Sequence, residues 1–321
     1  MTVDRLEGLV PHENILMLTN AQYASLIKRQ LPQLTDAQIL LEPARRNTAP
    51  CVAWAAWHLK ALNPDAQIMV APSDHLILNQ SRFATNVNDA FDFIASHPEA
   101  LVTFGVKPNR PETGYGYIQL GENVGGDFSR VKTFTEKPNL EMAKVLVESG
   151  EFFWNSGMFF WTADAIIDAF HHHAPVIADI FDLAENDVYR DAEREIAFIV
   201  KHYSECQNIS IDYAVMEKSG NVFVETVDFG WSDLGTWGAL FEQSPHNRDD
   251  NVAQNCRALA FESSGNVIAV DNPEKIIVLS GVNDFIVADS DDVLMVVPRS
   301  DEQKIKNIVN EVRATFGDKY L

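Results

Sequence analysis

Between residues 13 and 100 the chain alternates short apolar runs with amphipathic stretches, and this rhythm restricts its possible folds more than any other feature. Runs at 14–19 (NILMLT), 38–41 (QILL), 67–71 (QIMVA) and 100–106 (ALVTFGV) read as strands. Segments 21–31, 48–62 and 83–95 read as helices, with Pro50 tolerated in a first turn and Phe83, Val87, Ala90, Phe91 and Ile94 on one face. A β-α-β-α-β-α-β series calls for a parallel sheet with helices on both faces. Ligands in such sheets bind beyond the carboxyl ends of the strands, where residues 42–47 and 73–74 fall.

Downstream, 131–135 and 158–161 read as strands and 140–147 as a helix. A helical block follows over 163–219, in which Ile196, Ile199, Val200 and Tyr203 have the spacing of one buried face. Past Asn251 the pattern changes to short strands at even intervals (258–261, 267–270, 275–279, 285–288, 293–297) separated by turn residues. A last helix over 301–314 is expected to bury Ile305, Ile308, Val309 and Val312. The division expected is a catalytic α/β domain over 1–249 and a small β-rich domain with a C-terminal helix over 250–321.

A net charge of −21 argues against broad binding to nucleic acid or anionic lipid, since both need basic surfaces. No run approaches the roughly 18 apolar residues of a membrane span, and the start has no signal-peptide pattern, so a cytoplasmic location is expected. Cys51, Cys206 and Cys256 lie far apart without metal-ligand spacing, which disfavours a disulfide framework or a zinc site. The triplet at His171, His172 and His173 sits in a helix tail, where cations suit the dipole and consecutive side chains diverge.

Two aspartates stand out: Asp74 in PSDH and Asp233 in VDFGWSDLGTW, each close behind a strand. A single aspartate in such a place is ordinarily a turn or capping residue. Two from distant strand ends, converging over one sheet, suit a magnesium-phosphate site. FTEKP aims Glu136 and Lys137 outward at a strand end, or forms a solvated turn. Asn155, among large apolar residues in WNSGMFFW, must find partners either in the core or on a ligand. Gly114 and Gly116 in TGYGYI permit close backbone approach. Arg45, Arg46 and Asn47 put local positive charge at a helix N-terminus, suited to a nucleotide. Asp212 in SIDYAVMEK caps a helix or approaches a ligand.

Taken together, the PSDH, RRNTAP, TGYGYI, FTEKP, WNSGMF, SIDYAVMEK and DFGWSDLGTW segments resemble the mannose-1-phosphate guanylyltransferases, a sugar nucleotidyltransferase family. The resemblance implies a Rossmann-like, GT-A-like mixed and mostly parallel sheet followed by a short left-handed β-helix. It implies GMP transfer from GTP to mannose 1-phosphate, with Mg²⁺ on Asp74 and Asp233, giving GDP-mannose and pyrophosphate. The sugar phosphate is then the nucleophile, so no Ser, Cys or His nucleophile is required. In the family the glutamate corresponding to Glu136 holds sugar hydroxyls, Lys137 contacts the sugar-side phosphate, Asn155 binds sugar hydroxyls and the Gly114–Gly116 backbone lies over the sugar. Similar proteins are often dimers, and those with isomerase activity add a cupin-like module that this sequence does not match. The family's opening strand and glycine-rich phosphate loop also have no counterpart here. A truncated or misassigned start is the expectation drawn from that. The alternatives are a transferase for another sugar 1-phosphate and a catalytically inactive sugar-nucleotide binder.

Overall fold

The computed structural model describes residues 2–290, 292–317 and 319. The chain forms two compact units, one of Met1–Ser73 with Ile77–Trp231, the other of Asp74–Leu76 with Ser232–Leu321. The edge of the second unit thus lies upstream of Asp249.

In the first unit, β1 (Met17–Asn20) and β2 (Ile39–Glu42) form a parallel pair, Met17 opposite Ile39. A six-stranded sheet is built from β3 (Gln67–Val70), β5 (Leu101–Val106), β6 (Gly116–Gly125), β7 (Phe128–Glu136), β8 (Phe152–Thr162) and β9 (Val222–Val227) in the order β3-β8-β5-β9-β7-β6. The short β4 (Leu76–Ile77) pairs instead with β10 (Trp231–Ser232). The sheet is mixed, as expected, but within its six strands only β5 and β9 pair in parallel. The reason is β8: it runs antiparallel between β3 and β5 and so keeps those two strands from pairing with each other. Among the described residues β1 has β2 as its ladder partner and β3 has β8.

Helices cover both faces. On one side α2 (Thr48–Leu62) is apolar nearly all round, and Val52, Ala53, Trp54, Ala56, Trp57 and Ala61 are buried with Trp161, Phe170 and Phe181. A helix with no polar face needs protein on every side, which α5 (Ala163–His173) and the short helices after it supply. On the other side α3 (Gln80–Ser96) lays Phe83, Val87, Ala90 and Ile94 onto Phe104, Phe160 and Phe229, and α4 (Leu140–Ser149) adds Ala143 and Leu146.

The expected stripe at 196–203 is half wrong. Ile199 and Tyr203 are buried, but Ile196 and Val200 are 60% and 62% exposed. Glu195 turns inward instead, its carboxylate accepting from Trp54 Nε1 at 2.7 Å and lying 2.9 Å from His58 Nδ1. Two polar partners from α2 make that burial affordable, and the helix rotates to meet them.

In the second unit, β11 (Val252–Gln254), β13 (Val267–Val270) and β15 (Phe285–Ser290) stack in parallel, as do β12 (Arg257–Phe261) and β14 (Ile276–Ser280). These are the rungs of a β-helix, closed by β16 (Val293–Pro298) antiparallel to β15. Ile268, Val270, Leu279 and Val287 fill its interior. At one corner the buried Asn266 donates to Asn251 Oδ1 and to the Val282 carbonyl, both at 2.8 Å, satisfying backbone that the turning chain leaves unpaired. The last helix, Ile305–Phe316, corrects a second expectation: none of its residues is fully buried, and Ile308 and Val309 remain exposed. Amphipathic spacing specifies a stripe, not a partner for it. No helix among the described residues is long and apolar enough to cross a membrane.

Candidate active site

Three adjacent strands bring the central residues of the first unit into one row. Gly116 on β6 is opposite Glu136 on β7 and opposite Asn155 on β8. Gly116 is needed there because a Cβ would stand 2.4 Å from Glu136 Oε2 and 3.2 Å from the Asn155 Cβ. The Glu136 side chain is 5% exposed; its Oε1 accepts from Lys137 Nζ at 2.7 Å, and its Oε2 is buried without a hydrogen-bond partner. A buried carboxylate oxygen left unpaired is costly, and the atom is available to a hydroxyl donor.

Asn155 joins this row to a second acid. Its Nδ2 donates to Asp212 Oδ1 at 2.9 Å, and its Oδ1 accepts from the Thr103 hydroxyl at 2.8 Å. Asp212 opens the π-helix Asp212–Met216 and aims its carboxylate at the row rather than serving as the helix cap. Burial raises the pKa of Asp212. Burial, and then the charge of Asp212, likewise raise that of Glu136. Burial alone would lower the Lys137 ammonium, but Glu136 and Asp212 more than offset it and hold it above its ordinary value. Lys137 also adopts a left-handed backbone, φ +48°, a conformation that a lysine takes at a cost of order 1 kcal/mol and that turns its side chain back over the acids. The result is two acids and one cation around unpaired acceptor capacity, an arrangement suited to a polyhydroxylated, anionic molecule.

Asn155→Ala should lower stability by about 1 kcal/mol, because Asp212 loses the amide donor while the Thr103 hydroxyl keeps the Met158 carbonyl as its acceptor. Urea unfolding of the variant measures this, and an unchanged midpoint would mean that water replaces the amide at no cost.

Gly114 lies in a turn held from below: the buried Glu112 carboxylate accepts from the N–H groups of Thr113 and Gly114 at 2.9 and 3.1 Å. Arg45 donates to the Tyr23 hydroxyl at 3.0 Å and Arg46 to the Ser204 carbonyl. Asn47, φ +64°, caps α2 through Thr48 N–H at 3.0 Å. These three stand at the start of α2, not in the Glu136 row. Thr103, Glu112 and Glu217, whose Oε1 accepts from Glu136 N–H at 3.0 Å, escaped the sequence reading. Only Glu217 had a signal available, its place in SIDYAVMEK.

Asp74 and Asp233 are both grouped with the second unit. Leu78 N–H donates to the Gly230 carbonyl at 3.0 Å and Asn79 N–H to that of Phe229 at 2.9 Å. The two strands β4 and β10 pair, and Asp74 lies two residues before β4 while Asp233 directly follows β10. The loop after β10 is tightly built: Leu234 has φ +51°, and Asp233 Oδ1 accepts from Gly235 N–H at 2.9 Å. A Cβ on Gly235 would lie 2.6 Å from Asp233 Oδ2. Among the described residues no group of three or more His, Cys, Asp or Glu is arranged to hold a metal ion. A pair of carboxylates nevertheless fits Mg²⁺, which takes one or two of them and completes its octahedron with water and substrate phosphates.

Comparison with known proteins bears on both units. The family model for nucleotidyl transferases matches residues 5–250, and that for a MannoseP isomerase/GMP-like β-helix domain matches 257–312. The chain is 35% identical over 98% of its length to a mannose-1-phosphate guanylyltransferase of Escherichia coli K12, and 36% identical over 98% to one of Sinorhizobium fredii. It spans 66% and 60%, respectively, of those relatives' lengths. Among solved structures, a Thermus thermophilus protein described as a mannose-1-phosphate geranyltransferase superposes with a TM-score of 0.79 at 28% identity, covering 97% of this chain and 88% of its own.

Proposed function

This chain belongs to the nucleotidyl transferase family, in its mannose-1-phosphate guanylyltransferase branch, and from that premise we propose that it transfers GMP from GTP to mannose 1-phosphate. In this reading a phosphate oxygen of the sugar phosphate attacks the α-phosphorus of GTP in line, the bond to the bridging oxygen breaks, and pyrophosphate leaves with GDP-mannose as product. The observation that carries it is Glu136 Oε2, a buried acceptor without a partner, in one row with Gly116 and Asn155. Sugar hydroxyls are donors that such an oxygen would take, and the Thr103–Asn155–Asp212 chain would hold the adjacent acceptors still.

Lys137 is the cation proposed for the sugar-side phosphate, and Arg45, Arg46 and Asn47 at the start of α2 are proposed for the nucleotide. Asp74 and Asp233 are the proposed ligands of Mg²⁺, which when bound would neutralise phosphate charge and polarise the α-phosphoryl oxygen. We place the reaction in the cytoplasm, where both proposed substrates would be met.

Pyrophosphate release, measured across nucleoside triphosphates and sugar 1-phosphates, tests the assignment. Release should be fastest with GTP and mannose 1-phosphate. A faster rate with another pair would redirect the specificity, and calorimetric binding of GDP-mannose without any release would favour the inactive binder. Gly116→Ala should raise KM for mannose 1-phosphate by about 10-fold or more and leave KM for GTP nearly unchanged, because the methyl group displaces the Glu136 carboxylate. Equal effects on both substrates would detach this row from the sugar.

A further inference from the structure

A cavity of about 440 Å³ opens in the first unit between α3 and the β6–β7 turn, lined by Asp89, Asp92, Phe93, His97, Asp127 and Glu225 among others. It lies at the Phe128 end of β7, whereas Glu136 ends that strand, roughly 25 Å away at strand rise. The proposed chemistry therefore does not use it.

Three of its carboxylates, Asp89, Asp92 and Asp127, are exposed around the mouth. The fourth forms the floor. Glu225, on β9, is 1% exposed; its Oε1 accepts from Asn86 Nδ2 at 2.5 Å, and its Oε2 is buried with no hydrogen-bond partner. One wall is aromatic, with the Phe93 ring stacked on Phe128 and on His97, both at 4.3 Å between centroids. Neither lysine nor arginine is among the residues lining the cavity. A bare metal ion does not suit this geometry, because no three ligating groups are gathered to hold one. An acceptor at the bottom, an aromatic wall and a ring of negative charge suit an alkylammonium ion instead: one ammonium donates to the floor, the stem lies on the rings, and further positive charge meets the mouth.

We propose that this cavity is a binding site for a small organic polycation of the diamine or polyamine class, with Glu225 as its anchoring carboxylate. Burial, with Asp89 and Asp127 adding charge, raises the Glu225 pKa to about 8, against a hydrogen bond from Asn86 that lowers it. Asp89 and Asp92 from α3, Asp127 from the turn and the His97 ring are the titratable groups that line the cavity with it. At neutral pH the floor is thus an acid, and binding must expel its proton to the buffer.

Calorimetry of the full chain with spermidine, in buffers of different ionisation heat, tests this. Expected are saturable binding with a proton released at pH 7, and an affinity that rises by about 5-fold as the pH is brought to 8. Glu225→Gln keeps the Asn86 bond and imitates the neutral acid, so the fold is retained; it should weaken binding by about 10-fold or more and abolish the proton release. Asp127→Asn, on an exposed turn, should weaken binding a few-fold. Magnesium chloride at matched ionic strength should not displace the polyamine. Absence of saturable binding, equal affinity in Glu225→Gln, or displacement by magnesium as readily as by a second amine would each overturn the proposal, the last two by assigning the binding to diffuse attraction to an acidic surface.

Discussion

Asp233→Asn and Asp74→Asn should each lower kcat by about 10²-fold or more while leaving the melting temperature within a few degrees of the parent. Two polyanions must be brought together on a chain with a net charge of −21, and the reading assigns the offsetting cation to these two carboxylates. The substitution removes a charge and preserves shape. At position 233 the asparagine oxygen can still accept from Gly235 N–H, so the strained turn around Leu234 has no reason to move. Retained turnover in either variant would remove that residue from the metal site. Turnover in excess chelator would remove the metal from the mechanism. A loss of activity accompanied by a large loss of stability would instead return the aspartate to a turn-forming role.

Glu225→Gln should stabilise the protein by about 3 kcal/mol at pH 7 and have almost no effect near pH 4.5. Burial moves the folded-state pKa of this carboxyl from 4.5 to about 8. Between those values the folded chain holds a proton that the unfolded chain has lost. Stability therefore falls as pH rises through that window, by up to about 1.4 kcal/mol per pH unit, and the loss levels off above pH 8. Glutamine cannot ionise, so its contribution should be flat across the same range. Urea unfolding of both proteins at several pH values between 5 and 8.5 would show the difference as diverging midpoints. Parallel profiles would mean that the buried carboxylate finds a counter-charge or water once ionised.

Much of the first unit was legible before any coordinates. Helix α2 was bounded correctly at both ends, since Asn47 caps it and the apolar run stops before Asn63 and Pro64. The buried face of α3 was read from spacing alone, as were the rungs of the β-helix, because periodicity is a local property of burial. The failures lie where partners decide. Ile196 and Val200 had the spacing of a core but lost the place to Glu195, whose two polar partners on α2 lie more than 130 residues away. The pairing of β4 with β10, which Asp74 and Asp233 flank, is likewise invisible in the sequence, because two-residue strands carry no periodic signal.

The sequence by itself determined the elements, the family and the residue types of the site: a carboxylate beside a lysine, an asparagine among aromatics, glycines where backbone must come close. Each of these is written in a few consecutive residues. Only the tertiary structure decided that β8 would part β3 from β5, and that Gly116 would stand between Glu136 and Asn155. It likewise decided that Glu136 and Glu225 would each keep one carboxylate oxygen buried and unpaired. Strand order and register are set by which side chains fill space together across the sheet, and an unpaired atom is defined by neighbours from distant parts of the chain. Both are properties of the packed whole, which no local pattern of residues encodes.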